Sequence, residues 1–136
     1  MIEYKYDIRI MQLSETDYVI HAYYDSDNSP EADYYTFSYT ISFNRHEPGF
    51  YAVQESSSTG VDDYYDHYTA SAEELLERIK KQKSETENED VSEYYQKANE
   101  TEVKFYNDLM KLIEKISGAE DMLDVKDELD IVDMRC

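Results

Sequence analysis

At the start of the chain apolar and polar side chains alternate. Ile2, Tyr4, Tyr6, Ile8 and Ile10 fall on one side; Glu3, Lys5, Asp7 and Arg9 fall on the other. A period of two is that of a strand with one face buried. Residues 17–24 (Asp-Tyr-Val-Ile-His-Ala-Tyr-Tyr) are β-branched and aromatic and predict a second strand, joined to the first by a hairpin loop at Ser14-Glu15-Thr16. Asp25 to Pro30 has the chemistry of a loop. In the next strand Tyr35, Phe37, Tyr39, Ile41 and Phe43 share one face, and Thr36, Ser38, Thr40 and Ser42 the other. Asn44 to Gly49 turns the chain, and Phe50 to Glu55 returns as a fourth strand. The pattern predicts a four-stranded antiparallel meander over residues 1–55, with one face packed and one wet. Ser56 to Gly60 reads as a loop. The following segment, Val61 to Tyr68, is too acidic for a core strand and reads as a loop or a polar edge strand.

Near residue 70 the period becomes helical. Ser71 with Glu74 three residues on is a capping box. Ala72, Leu75, Leu76 and Ile79 make a narrow apolar stripe behind it, and Lys80, Lys81 and Lys83 suit the helix C-terminus. Ser84 to Glu89 reads as a polar linker. Asp90 with Glu93 is a second capping signal, after which Val91, Tyr94, Ala98, Phe105, Leu109, Leu112 and Ile116 trace one long helix ending at Gly118. Met122, Val125, Leu129 and Val132 suggest a last helix. The expected fold is α+β: a single domain, residues 1–136, with a sheet half (1–70) carrying acidic, Tyr-rich loops and a helical half (71–136) of two or three helices within 71–132. The long helix overhangs the body or pairs with a second copy, so the chain is a monomer or a homodimer.

Charge changes this picture most. The chain carries 32 Asp and Glu against 13 Lys and Arg, a formal net charge of −19. Self-repulsion at this density opposes folding, while a field of this sign attracts basic surfaces. Residues 14–70 hold eleven acidic side chains and one basic, Arg45, interleaved with ten of the 15 tyrosines. An acidic chain poor in aromatics would be disordered; at 14% aromatic this one is expected to fold. The lone cysteine, Cys136, forms no internal disulfide, and no signal peptide or membrane-length apolar run is visible, so a cytoplasmic location is expected, in the host cell if the gene is phage-borne.

Candidate chemistry is sparse. His67, flanked by Asp63 and Asp66, is the one acid–base candidate among three histidines, and no partner set for it is evident. Asp25 to Ser29 opens like a calcium loop, but Pro30 and Thr36 stand where such a loop needs glycine and glutamate. No enzyme activity, cofactor or metal is expected. Direct nucleic-acid binding is not expected either, because phosphate affinity comes from Lys and Arg.

The acid–tyrosine combination is what remains. Adjacent strand residues point to opposite faces, so one Tyr of each pair can pack while the other is presented. Tyrosine is a strong interface residue, and aligned carboxylates imitate a run of phosphates. The expected partner-binding residues are Asp25, Asp27, Asp33, Asp62, Asp63 and Asp66, with Tyr24, Tyr34 and Tyr64 or Tyr65 as anchors.

In size, acidity and Tyr content the chain resembles small phage-encoded inhibitors, the nucleic-acid mimics of the anti-CRISPR and anti-restriction type. The resemblance is one of composition and carries no motif. It implies a stoichiometric inhibitor whose partner is a basic nuclease, foremost a Cas effector such as Cas9, whose DNA and guide channels are basic, or a restriction enzyme. The alternative is an immunity protein that neutralises a toxin nuclease, by the same acidic cover of a basic site.

Overall fold

The computed structural model describes residues 3–27, 35–58, 63–90 and 96–133. Six strands form one sheet: β1 (Glu3–Gln12), β2 (Asp17–Asp27), β3 (Tyr35–Asn44), β4 (Glu47–Ser58), β5 (Asp63–Ser71) and β6 (Ile131–Asp133). Their spatial order is β5-β4-β3-β2-β1-β6. The first five pair as antiparallel neighbours, and β6 lies parallel to β1. Two helices, α1 (Ala72–Glu87) and α2 (Gln96–Ser117), complete the α+β fold.

Alternation decides which face the helices cover. Tyr18, Ile20, Ala22 and Tyr24 of β2 pair with Phe43, Ile41, Tyr39 and Phe37 of β3, and all eight are buried. Tyr51 and Val53 extend this face on β4, and Ala70 and Tyr68 on β5. Leu75 and Ile79 of α1, with Phe105, Leu109, Ile113 and Ile116 of α2, close the same core. The apolar stripe of α2 is therefore buried within its own chain. The opposite sheet face has no helix against it among the described residues.

Several expectations need correction. The meander is larger than four strands because the ladder continues through segments with loop chemistry. β2 runs on to Asp27, with Asp25 opposite both Lys5 and Thr36, and β4 runs on through Ser56 to Ser58. Cross-strand partners on both sides satisfy those backbone groups and override turn propensity. Of the two readings of the acidic segment, edge strand is the one seen, as β5.

The capping box is present, with Ser71 Oγ accepting from Glu74 N and Glu74 accepting from Ser71 N. The expected linker from Ser84 is instead the last turns of α1. Thr86 is buried there and its hydroxyl donates to the Gln82 carbonyl at 3.0 Å. The second capping signal cannot be placed, since Glu93 lies outside the described residues. Gly118 does follow α2, its N–H donating to the Glu114 carbonyl.

The last helix is replaced by a 3₁₀ turn (Met122–Asp124), further turns and β6. Residues 119–133 hold seven carboxylates and one lysine, a poor charge pattern for a helix. Met122 and Val125 still reach the core, and Ile131 and Val132 pair with the β1 edge instead.

Candidate partner-binding surface

The uncovered sheet face is organised in cross-strand rows. One row runs Asp63, Ser58, Thr36, Asp25, Lys5 from β5 to β1. The next runs Tyr65, Ser56, Ser38, Tyr23, Asp7, and the third His67, Gln54, Thr40, His21, Arg9. Each flank of this face carries an aromatic pair: Tyr65 lies 6.0 Å from His67 and Tyr23 stacks 6.5 Å from His21, between ring centres. Between the pairs the floor is hydroxylic, with Ser38 and Ser56 hydrogen-bonded at 2.7 Å. Asp63 and Asp25 border that floor three strand spacings apart, about 14 Å.

The expected site residues are only partly brought together. Asp63, Tyr64 and Tyr65 are exposed on the edge strand β5, Tyr65 more than Tyr64, at 63%. Asp25 is half-buried on the open face. Asp66 is half-buried on the covered side, where Arg78 donates to it at 3.1 Å and Tyr64 reaches it at 3.4 Å. Asp27 ends β2 opposite Glu3. Asp33, Asp62 and Tyr34 lie outside the described residues. Tyr24 is not a presented anchor. It is buried, and its hydroxyl donates to the Ala98 carbonyl at 3.0 Å. Its neighbour Tyr23 is the member of that pair on the open face.

Charge is distributed more unevenly than the two halves of the sequence suggest. The helices are almost self-neutralised: α1 has five carboxylates and four cations, α2 four of each. Most of the negative excess of the helical half resides in residues 119–133. Arg45 anchors that segment to the β3–β4 turn. Its carbonyl accepts from Met122 N, its Nε donates to Asp121 at 3.1 Å, and its N–H donates to the Thr16 carbonyl. His46 Nδ1 lies 3.2 Å from the same Asp121. The Leu123 N–H, and then Arg45, hold the Asp121 carboxyl below the usual range. The acids around Asp121 thus share one end of the molecule with the Ser14–Thr16 and Asn44–His46 turns. Averaging charge over residues 71–136 hides this cluster; a window the length of one element reveals it.

Elsewhere ionisable groups serve the covered side. Arg78 bridges Glu55 and Asp66 and stacks 4.2 Å above the Tyr68 ring, and its hydrogen bonds to Glu55 keep it charged. Burial, then the Glu55 carboxylate, raises the Tyr68 phenol. Among the described residues no three of His, Cys, Asp and Glu are grouped to hold a metal ion, and no helix is long and apolar enough to cross a membrane. Compared with family models, curated proteins and solved structures, the chain matches none.

Proposed function

We propose that the protein is a stoichiometric inhibitor that covers the basic nucleic-acid groove of a nuclease, in the manner of an anti-CRISPR or anti-restriction mimic, with an RNA-guided effector of the Cas9 type as the first target. The observation that carries this reading is the placement of charge. The helices almost neutralise themselves, so most of the excess of carboxylates belongs to the strand half of the chain and to residues 119–133. On the opposite sheet edge from residues 119–133, next to Asp63, β5 presents Tyr64 and Tyr65, rings that supply contact area with a polar tip. Carboxylates accept bidentate bonds from the Arg and Lys that otherwise hold phosphate.

The test is a cleavage titration. Purified Cas9-type and restriction nucleases are assayed with increasing amounts of this chain. Inhibition should end sharply at a fixed molar ratio. Association should slow steeply as salt rises from about 0.05 to 0.5 M, since opposite charges steer the encounter. Cleavage untouched at large molar excess across the panel overturns the reading, as does an association rate indifferent to salt.

A further inference from the structure

β1 is covered along its full length on one side only. Facing β2 it pairs from Glu3 to Gln12; facing β6 it pairs only at Ile10, Met11 and Gln12. Among the described residues no strand pairs with the remaining edge, residues 3–9. An uncovered strand edge directs backbone donors and acceptors sideways and is a template for another strand. Beside this edge, between β1 and α2, lies a cleft of about 430 Å³. Its floor is apolar, from Ile8, Leu112 and Leu129, all only partly buried. Its carboxylates are those of Asp108 and Asp130, Asp7 bordering it from a position whose side chain belongs to the uncovered face, and no lysine or arginine lines it. Asp108 accepts a 2.6 Å bond from the Tyr6 hydroxyl, which fixes it at the wall, and Asp7 is paired with the exposed Arg9.

We propose that this edge and cleft take an extended basic segment of a partner protein, added to the sheet as a strand beside β1. Main-chain bonds to residues 3–9 supply the pairing, and alternate side chains enter the cleft. An Arg or Lys fits there in both its parts. The aliphatic stem lies on Ile8, Leu112 and Leu129, and the cationic head reaches the carboxylates. The edge already accepts a parallel strand at Ile10–Gln12, so its geometry is suited to another. A second copy of this chain is the poorer occupant, because two bodies of charge −19 repel. The inference concerns the chain's own edge and holds whether or not the partner is a nuclease.

The probe is a synthetic peptide of about nine residues alternating valine and arginine, its ends blocked, followed by fluorescence anisotropy with the full chain at about 0.15 M salt. Two further peptides carry N-methyl groups on the odd or on the even backbone nitrogens. The parent should bind. One methylated peptide should lose binding while the other keeps most of it, because a strand offers its donors to one neighbour at alternate residues. The double variant Asp108→Asn/Asp130→Asn should weaken the parent by about tenfold or more. Leu112→Arg, which supplies the cleft with a cation of its own, should do the same. Circular dichroism confirms that each variant folds. Glu85→Gln/Glu87→Gln, on exposed positions of α1, should change nothing. Equal loss in that control, equal binding of both methylated peptides, or no binding of the parent overturns the proposal. None of these outcomes bears on the cleavage titration.

Discussion

Arg78 of α1 grips Glu55 of β4 through Nε and Nη2, at 3.1 and 2.8 Å from Oε2. Glu55 is almost wholly buried, at 1% exposure, while the Arg78 side chain is 40% exposed. The pair is therefore asymmetric: the cation has water to return to and the carboxylate has none. Removing the cation strands a buried charge, which is costlier than removing both partners. Arg78→Met should destabilise the fold by about 3 kcal/mol, the lower end for a broken buried pair given the half-open cation. The double variant Glu55→Leu/Arg78→Met should recover most of that loss. Urea unfolding of the three proteins checks it. A double variant no more stable than Arg78→Met would show that the cost lies in the lost stacking on Tyr68.

Tyr24 and Tyr65 separate folding from binding. Tyr24 is 2% exposed and packs within the aromatic cluster around Phe105. Tyr24→Ala should cost about 3–5 kcal/mol of stability, as for other buried large-to-small changes. Tyr65→Ala removes a ring that is 63% exposed and should leave stability within about 0.5 kcal/mol. If β5 carries the interface, the same change should weaken inhibition of the target by about 2 kcal/mol, some thirtyfold. Thermal unfolding and the cleavage titration read the two effects separately. Unchanged inhibition by Tyr65→Ala would move the interface away from β5.

How legible the fold was depended on whether neighbours in sequence or in space decided it. The period of two in β3 named its buried face residue by residue, and the Ser71–Glu74 box located the start of α1, because both signals are local. Asp25 to Asp27 and Ser56 to Ser58 look like loops; only their pairing partners on adjacent strands make them sheet. Met122, Val125 and Leu129 have helical spacing, yet the free edge of β1 captures Ile131 and Val132, and no local pattern foretells an edge elsewhere in the chain. At the candidate surface, parity alone gives one inward tyrosine per pair but not which one. Tyr23 and Tyr24 are assigned by Ile20 and Ala22, whose burial fixes the parity of β2. At β5 both Tyr64 and Tyr65 stay exposed.

The start of α1 offers a local test. Glu74 accepts from the Ser71 N–H at 3.1 Å, and this bond, followed by that of the Ser71 side chain, holds its carboxyl below the ordinary value. A depressed carboxylate stabilises the fold above its unfolded pKa and ceases to do so as pH falls through the folded one. Ser71→Ala should cost about 1 kcal/mol at neutral pH. The gap between Glu74→Ala and the parent should narrow as pH falls below about 4, because that variant removes the carboxylate held by the Ser71 N–H. Denaturant midpoints at pH 7 and pH 3 measure this; a gap constant across the two would confine the cap to the hydroxyl alone.

Glu102 gives the opposite sign. It faces the end of α1 from α2, with the Tyr106 hydroxyl 3.5 Å from its carboxylate, and burial pushes its carboxyl up to about 7. Thr86 and Tyr106 oppose that rise by hydrogen bonding, and Glu89 adds to it by repulsion. The folded protein therefore holds this proton through a range in which the unfolded chain, with a carboxyl near 4.3, has released it. Where the folded state binds more protons, stability falls as pH rises. The fold should lose stability between about pH 4.5 and 7, by about 1 kcal/mol per unit at the steepest. Every other carboxylate also responds to pH, so the comparison is with Glu102→Gln, which keeps the shape and cannot ionise. The variant should match the parent near pH 4.5 and exceed it at pH 8, with the difference opening across the window. Urea midpoints taken through that range decide it. A difference that stays constant from about pH 4.5 to 8 would mean that Glu102 ionises at its ordinary value and that the α1–α2 contact accommodates the charge.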